Sequence, residues 1–270
     1  MKEMSQFDIA RDGKRIQRRL GFLFMIPLLV GMIALFLLSA EWKETLRVQT
    51  IYVNGSQSVS VKDVAGLAEV LPHTELYHID LLEVQNRIMA QPFIKSARVN
   101  RRLPGTVAIE VIEREPIASV NVGKPHLVDA EGVMLPDIGA PKKFDVPGII
   151  GIDGLRPERA GVPIMNKELF NAIDVLKEAI KIDSVVYRMI SEVDMNHGGE
   201  IILYSSDVGV PVLLGREGVP KKLLMLETFW SRFVSSGDVE KLGYVDLRFD
   251  DQVVVHWNQE AETRAKKMSL

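Results

Sequence analysis

The stretch QPFIKSARVNRRLPGTVAIEVIEREPIA, Gln91–Ala118, decides how the chain is read. Phe93–Arg101 alternates, setting Ala97 and Val99 to one side, and Leu103-Pro104-Gly105 supplies a turn. Thr106–Arg114 alternates again through Val107, Ile109 and Val111 before Glu113-Arg114-Glu115-Pro116 ends the run. A two-residue apolar period flanking a Pro-Gly turn is the mark of a hairpin with one buried face.

Upstream, Val48–Val53 spaces Ile51 and Val53 as a strand and stops at Asn54-Gly55, a turn pair. Ser60 is placed to cap a helix in which Val61, Val64, Ala65 and Ala68 share a face. Asp80 caps a second helix through Leu81, Val84 and Ile88, which must end before Gln91-Pro92 because the residue preceding proline avoids helical geometry. The order is βααββ from Val48 to Arg114.

Downstream the texture changes. A hairpin is expected over His126–Leu135 around Asp129-Ala130-Glu131-Gly132, then a Pro- and Gly-rich loop from Pro136 to Pro163 with a short strand at Ile149-Ile150. Asn166 caps a helix striped by Leu169, Ile173, Leu176 and Ile180. Strands follow at Val185–Val193, Glu200–Tyr204 and Val210–Leu214, then a helix opening at Pro220, striped by Leu223, Leu226, Trp230 and Phe233 and ended by Ser236-Gly237-Asp238. The last element is YVDLRFDDQVVVHW, Tyr244–Trp257, a hairpin with only a polar tail, Gln259–Leu270, beyond it. The expected class is α+β, the second region being mostly antiparallel sheet with helices on one face.

With 47% hydrophobic and 26% charged residues, the 270-residue chain has the composition of a globular protein, and its net charge of -3 gives no support for nucleic-acid binding. It has no cysteine, which excludes disulfides, thiolate metal sites and cysteine nucleophiles. Gly21–Ala40 carries no charge and only Ser39 as a polar side chain. About 20 apolar residues span a bilayer core, which predicts an uncleaved transmembrane helix over 21–40. Over 11–19 Arg11, Lys14, Arg15, Arg18 and Arg19 precede it, with Asp12 alone opposing them in that span, whereas Glu41 and Glu44 balance Lys43 and Arg47 after it. The positive side stays inside, so residues 1–20 are expected as a cytoplasmic tail and the bulk of the chain as exported.

Groups for catalysis are few. His73, His78, His126, His197 and His256 form no metal-binding spacing, and no Walker or dinucleotide glycine fingerprint occurs. Ser205-Ser206 lacks a nucleophile elbow, and Leu214-Gly215-Arg216 reads as a strand end. Asp129, Glu131, Asp137, Asp246, Asp250 and Asp251 sit at turns, where carboxylates shape loops and keep sheet edges soluble, and Arg114 pairs locally with Glu113 and Glu115. No catalytic, cofactor-binding or metal residue is assigned. What the sequence offers instead is a terminal strand that nothing after it covers.

The order of parts resembles the FtsQ/DivIB family of bacterial cell-division proteins. The resemblance is carried by VQTIYVNG, by Gln91–Ala118, by HLVDAEGVML and by YVDLRFDDQVVVHW, and extends from Arg18 to Trp257. It implies a POTRA domain over 48–115, an FtsQ-type β domain over 116–258, a disordered tail over 259–270, and no cofactor. It further implies a non-catalytic, single-pass inner-membrane scaffold at the division septum that brings FtsB and FtsL to the septal peptidoglycan synthesis machinery, with recruitment through FtsK. In the family the final strand receives a short strand from FtsB, which implies partner contacts at Tyr244, Arg248, Phe249, Asp251, Gln252, Val253, Val254, Val255, His256 and Trp257. Phe249 and Trp257 are the expected aromatic anchors, with Tyr244 and Arg248 on the neighbouring strand. Enteric relatives often carry tyrosine at the position of Phe249 and small residues at those of Gln252 and His256. Two rival readings remain at this point, a POTRA factor of outer-membrane transport and a membrane-tethered wall hydrolase.

Overall fold

The structure, a computed structural model, describes residues 25–36, 46–136, 144–156, 159–234 and 241–258. The expected tails over 1–20 and 259–270, and the helix stop at Ser236-Gly237-Asp238, lie outside these residues. Of the expected membrane helix, residues 25–36 are described and helical; 21–24 and 37–40 are not among the described residues. Among the described residues no helix is long and apolar enough to cross a membrane.

The βααββ order is present: β1 (Thr50–Asn54), α1 (Val61–Leu67), α2 (Leu81–Met89), β2 (Ile94–Arg102) and β3 (Thr106–Glu113). The sheet order is β1-β3-β2, with β1 parallel to β3 and Tyr52 opposite Ala108. Asp80 starts α2 as a cap, its Oδ1 accepting from the amides of Leu82 at 2.9 Å and Glu83 at 3.1 Å. Gly55 leaves β1 at φ +88°, and a Cβ there would collide with the Val111 carbonyl, so only glycine fits this turn.

The chain forms two compact units. The first comprises the described residues up to Asn54 with Lys62–Asn86 and Arg98–Glu110. It buries Val48, Val64, Leu76, Val84, Val107 and Ile109, and Arg101 holds the Leu76 and Ile79 carbonyls at 2.8 and 2.6 Å. The second comprises Gly55–Val61, Arg87–Ala97 and the described residues from Val111 on. Here the Glu113 carboxylate accepts from the amides of Gln57, Ser58 and Val59 at 2.9, 2.8 and 3.0 Å. Partial burial pushes its pKa up, but those three donors prevail and hold it below the ordinary glutamate value.

The second unit contains a nine-stranded sheet: β4 (Pro116–Asn121), β5 (Pro125–Asp129), β6 (Met134–Leu135), β7 (Gly148–Ile150), β8 (Ile190–Asp194), β9 (Ile202–Ser205), β10 (Pro211–Leu213), β11 (Leu242–Asp246) and β12 (Val254–Trp257). Its order is β12-β11-β10-β9-β8-β7-β4-β5-β6. Five neighbouring pairs are antiparallel, and β10/β11, β4/β7 and β7/β8 are parallel. Helix α3 (Lys167–Ile182) buries Leu169, Ile173 and Leu176 of its expected stripe but leaves Ile180 exposed at its last turn, and α5 (Val219–Val234) buries Leu223, Leu226 and Trp230, the Phe233 side chain lying outside the described ones.

Two local expectations change. The strand expected over Val185–Val193 begins instead as the short helix α4 (Ser184–Arg188), because Asp183 accepts from the Val185 amide at 2.7 Å and starts a turn that β-branched residues alone would not choose. Strand β4 was not anticipated, since Glu115-Pro116 reads as a break; proline at the first position of a strand is tolerated.

Candidate functional site

A sheet that does not close has two edges, each a row of backbone groups in need of partners. At β6 the chain covers its own edge. Met134 N–H donates to the Val162 carbonyl, Gly161 N–H to Met134 and Ile164 N–H to Gly132, at 3.2, 2.8 and 2.9 Å, and Val133 bridges Pro163. At the opposite end β12 has β11 as its single strand neighbour among the described residues.

The register says which groups face outward. Asn258 N–H donates to the Lys241 carbonyl at 2.9 Å, which fixes that amide as pointing toward β11. Stepping back by two, the N–H and C=O of His256 and Val254, opposite Tyr244 and Asp246, point the same way. Those of Val255 and Trp257 therefore face away from β11.

Side chains alternate in the other dimension. Val253 and Val255 are half-buried against the core, on the face where Val245 and Leu242 are buried. Trp257, opposite Leu242, shares that face and is 41% exposed. Val254 and His256 occupy the outer face, where the His256 ring stacks on Tyr244 with centroids 4.9 Å apart. Tyr244 thus braces β12 from the neighbouring strand. Phe249, Asp251 and Gln252 lie in the connection between the strands, exposed, away from the outward-facing groups.

Charged pairs pin the ends of this hairpin. Asp246 is buried, and its carboxylate takes the Arg248 guanidinium at 2.6 to 3.2 Å and the Arg248 amide at 2.9 Å. The Arg248 side-chain hydrogen bonds hold the Asp246 carboxyl below its ordinary value, outweighing burial, and raise the Arg248 pKa in turn. Asp251, at φ 58°, meets Lys221 of α5 at 2.5 Å, and that hydrogen bond raises the lysine pKa. Arg248 and Asp251 are thereby committed within the hairpin and its helix.

One feature escaped sequence reasoning. Beside the core stripe of α5 run Leu224, Met225 and Phe229, a lateral apolar strip with Leu224 54% exposed. The signal was present in LLMLETFW, where apolar residues exceed what one stripe requires. The polar groups weighed for chemistry take structural places instead. Arg114 meets buried Asp129 at 2.6 Å and Glu131 at 3.5 Å; Lys95 meets Glu131 at 2.8 Å. Asp129 also receives the Glu131 and Val133 amides at 2.9 and 2.8 Å, shaping the β5–β6 turn. Among the described residues no three His, Asp or Glu side chains are grouped to hold a metal ion.

A βααββ module followed by a nine-stranded sheet is a POTRA-type arrangement joined to a β-rich domain. Residues 46–114 match the family described as POTRA domain, FtsQ-type, and residues 118–248 match Cell division protein FtsQ/DivIB, C-terminal. The chain is 30% identical over 214 residues to Cell division protein FtsQ of Geobacter sp. (strain M21), covering 78% of this chain and 76% of that one. It is 28% identical over 236 residues to Cell division protein FtsQ of Rhodothermus marinus, covering 85% and 84% of the two chains. With Cell division protein DivIB of Clostridium acetobutylicum it shares 24% identity over 218 residues, 78% and 83% of the two. The chain belongs to the FtsQ/DivIB family. The C-terminal match ends at residue 248, before β12.

Proposed function

We propose that this protein is a non-catalytic, single-pass inner-membrane scaffold of the division septum that captures FtsB, and FtsL with it, by adding a strand to β12. The observation that carries this reading is the asymmetry of the sheet: the chain covers the β6 edge with its own residues 161–164, whereas β12 has β11 as its single strand neighbour among the described residues. An edge strand left open is a template for an incoming segment, which supplies backbone partners while side chains supply selectivity.

Magnitudes require both contributions. Each backbone hydrogen bond that an incoming strand makes contributes a net ~0.5–1.5 kcal/mol, so a handful contributes only a few kcal/mol. Association costs about 4–15 kcal/mol. Apolar anchors must supply the surplus, and Trp257 and Val255 are the residues of β12 placed to do so. Phe249 is exposed in the adjoining connection and adds a peripheral contact, with Asp251 and Gln252 beside it.

The anchor is the segment over 21–40. In its described part Met25, Ile26, Leu28, Leu29, Val30, Met32, Ile33, Leu35 and Phe36 are all exposed, as suits a helix whose solvent is lipid. Contacts with FtsK and the septal peptidoglycan synthase machinery fall to the POTRA domain over 48–115 or to the membrane region, and those with FtsB and FtsL to the β domain over 116–258. Co-purification with FtsB tests the reading. Val255→Pro removes an outward N–H and is expected to abolish capture in a protein that is still folded and inserted; undiminished capture contradicts strand addition.

A further inference from the structure

Two exposed tips flank the start of β1. On one side Val48 N–H donates to the Thr74 carbonyl and His73 N–H to that of Val48, at 2.8 and 2.9 Å, while Leu76 N–H reaches the Leu46 carbonyl at 2.8 Å. On the other side the amides of Gln49 and Thr50 donate to the Gly105 carbonyl at 2.8 and 3.2 Å. A Cβ on Gly105 would collide with the Arg47 carbonyl, so this turn lies directly against the entering chain. The tips are Leu71-Pro72 and Leu103-Pro104, all four exposed, with Leu71 at 73% and Leu103 at 57%. A lone exposed leucine is ordinary. Turn geometry asks for proline and glycine but not for leucine, and here two leucine–proline tips bracket one short stretch of chain.

The sequence brings a bilayer close to them. From Ala40, where the expected anchor ends, to Leu46 the chain spans at most roughly 20 Å even when fully extended. A surface tethered so closely meets its target at an effective concentration on the order of millimolar, and a small apolar contact is then enough to hold it. The cations beside the tips are paired: Arg47 donates to the His73 carbonyl at 3.2 Å and stands 3.9 Å from Glu75, while Arg102 meets Glu110 at 3.0 Å and lies over the Tyr52 ring. What this end offers a membrane is therefore apolar surface rather than net charge.

We infer that Leu71 and Leu103 form a two-point membrane contact, entering the boundary between headgroups and acyl chains of the bilayer that holds the anchor, so that the β1–β3–β2 sheet stands on this end with Asn54 turned away. This inference rests on the single-pass anchor proposed over 21–40.

The full-length chain has no cysteine, so a single introduced one carries the only thiol label. Leu71→Cys and Leu103→Cys report on the tips, Val30→Cys on the anchor, and Asn54→Cys on the far end of β1, about 13 Å along the strand from Thr50. Each variant, labelled with the fluorophore NBD, is reconstituted in vesicles of phosphatidylethanolamine and phosphatidylglycerol containing phospholipid with a nitroxide high on its acyl chain. Labels at 30, 71 and 103 are expected to be quenched severalfold more than the label at 54, and to stay so in about 1 M NaCl, where the Debye length is only about 3 Å. Adding Leu103→Glu to the Leu71→Cys protein should lower the quenching at 71 toward that at 54, because a carboxylate is costly to carry to that depth; thermal melting checks that this variant folds. Quenching at 30 with none beyond the level of 54 at either tip, or at one tip only, overturns the contact and leaves the anchor standing. Equal quenching at 54 overturns it too, and loss of tip quenching in high salt marks electrostatic adsorption instead. If 30 itself is not quenched, the anchor fails and the contact falls with it.

Discussion

Replacing Trp257 by alanine isolates the apolar part of strand capture. Trp257 lies on the face of β12 that Val255 shares, opposite Leu242, and is 41% exposed, so most of its contact with the rest of the chain is already made. An indole presents up to about 250 Å², which leaves roughly 100 Å² for a partner to cover. At about 25 cal/mol per Å² that area is worth about 2.5 kcal/mol. Affinity should therefore fall between about tenfold and sixtyfold, as half or all of the exposed area is covered on binding. The assay is a titration of the full-length variant in nanodiscs with the periplasmic region of FtsB, and the loss should appear in the dissociation rate. A change smaller than about threefold, which is less than 1 kcal/mol, would refute the assignment of Trp257 as an anchor.

Further outcomes follow from charged groups inside the second unit. Removing Glu113 as Glu113→Ala frees the amides of Gln57, Ser58 and Val59 and should cost about 2 kcal/mol, read as a lower urea midpoint. Arg114→Ala leaves Asp129 buried without its cation and should cost about 3 kcal/mol by the same measurement; a loss below about 1 kcal/mol would show that the pair is not needed there. Asp246 has a folded-state pKa below its unfolded value, so its contribution is complete above the unfolded pKa and is lost as pH falls through the folded one. Melting temperature should accordingly drop on acidification below the ordinary aspartate range, and Asp246→Asn should flatten that drop.

The hairpin at Phe93–Glu113, the Asp80 and Asn166 caps and the final hairpin were legible because each is set by residues close in sequence: an alternating run, a capping side chain, a turn pair. Asn166 illustrates this, accepting from Leu169 N–H at 3.0 Å as its position before an apolar stripe predicts. The misread segment at Val185–Arg188 shows a local hydrogen bond from Asp183 overriding β-branched side chains. Strand β4 went unseen because its partners, β5 and β7, lie on either side of it in the sheet and the parallel pairing with β7 depends on residues some thirty positions away. At the candidate site, the facing of Val253 and Val255 against Val254 followed from alternation alone. The commitment of Arg248 to Asp246 did not, because it depends on a turn that folds the guanidinium back onto a carboxylate two residues earlier.

The most direct measurement is amide hydrogen exchange at β12, followed residue by residue with and without the periplasmic region of FtsB. Strand addition predicts that the Val255 amide exchanges quickly in the free protein and becomes protected on binding, while Val254 and His256, already bonded to β11, change little. Protection that appears elsewhere, with Val255 still exchanging at its free rate in the saturated complex, would contradict it.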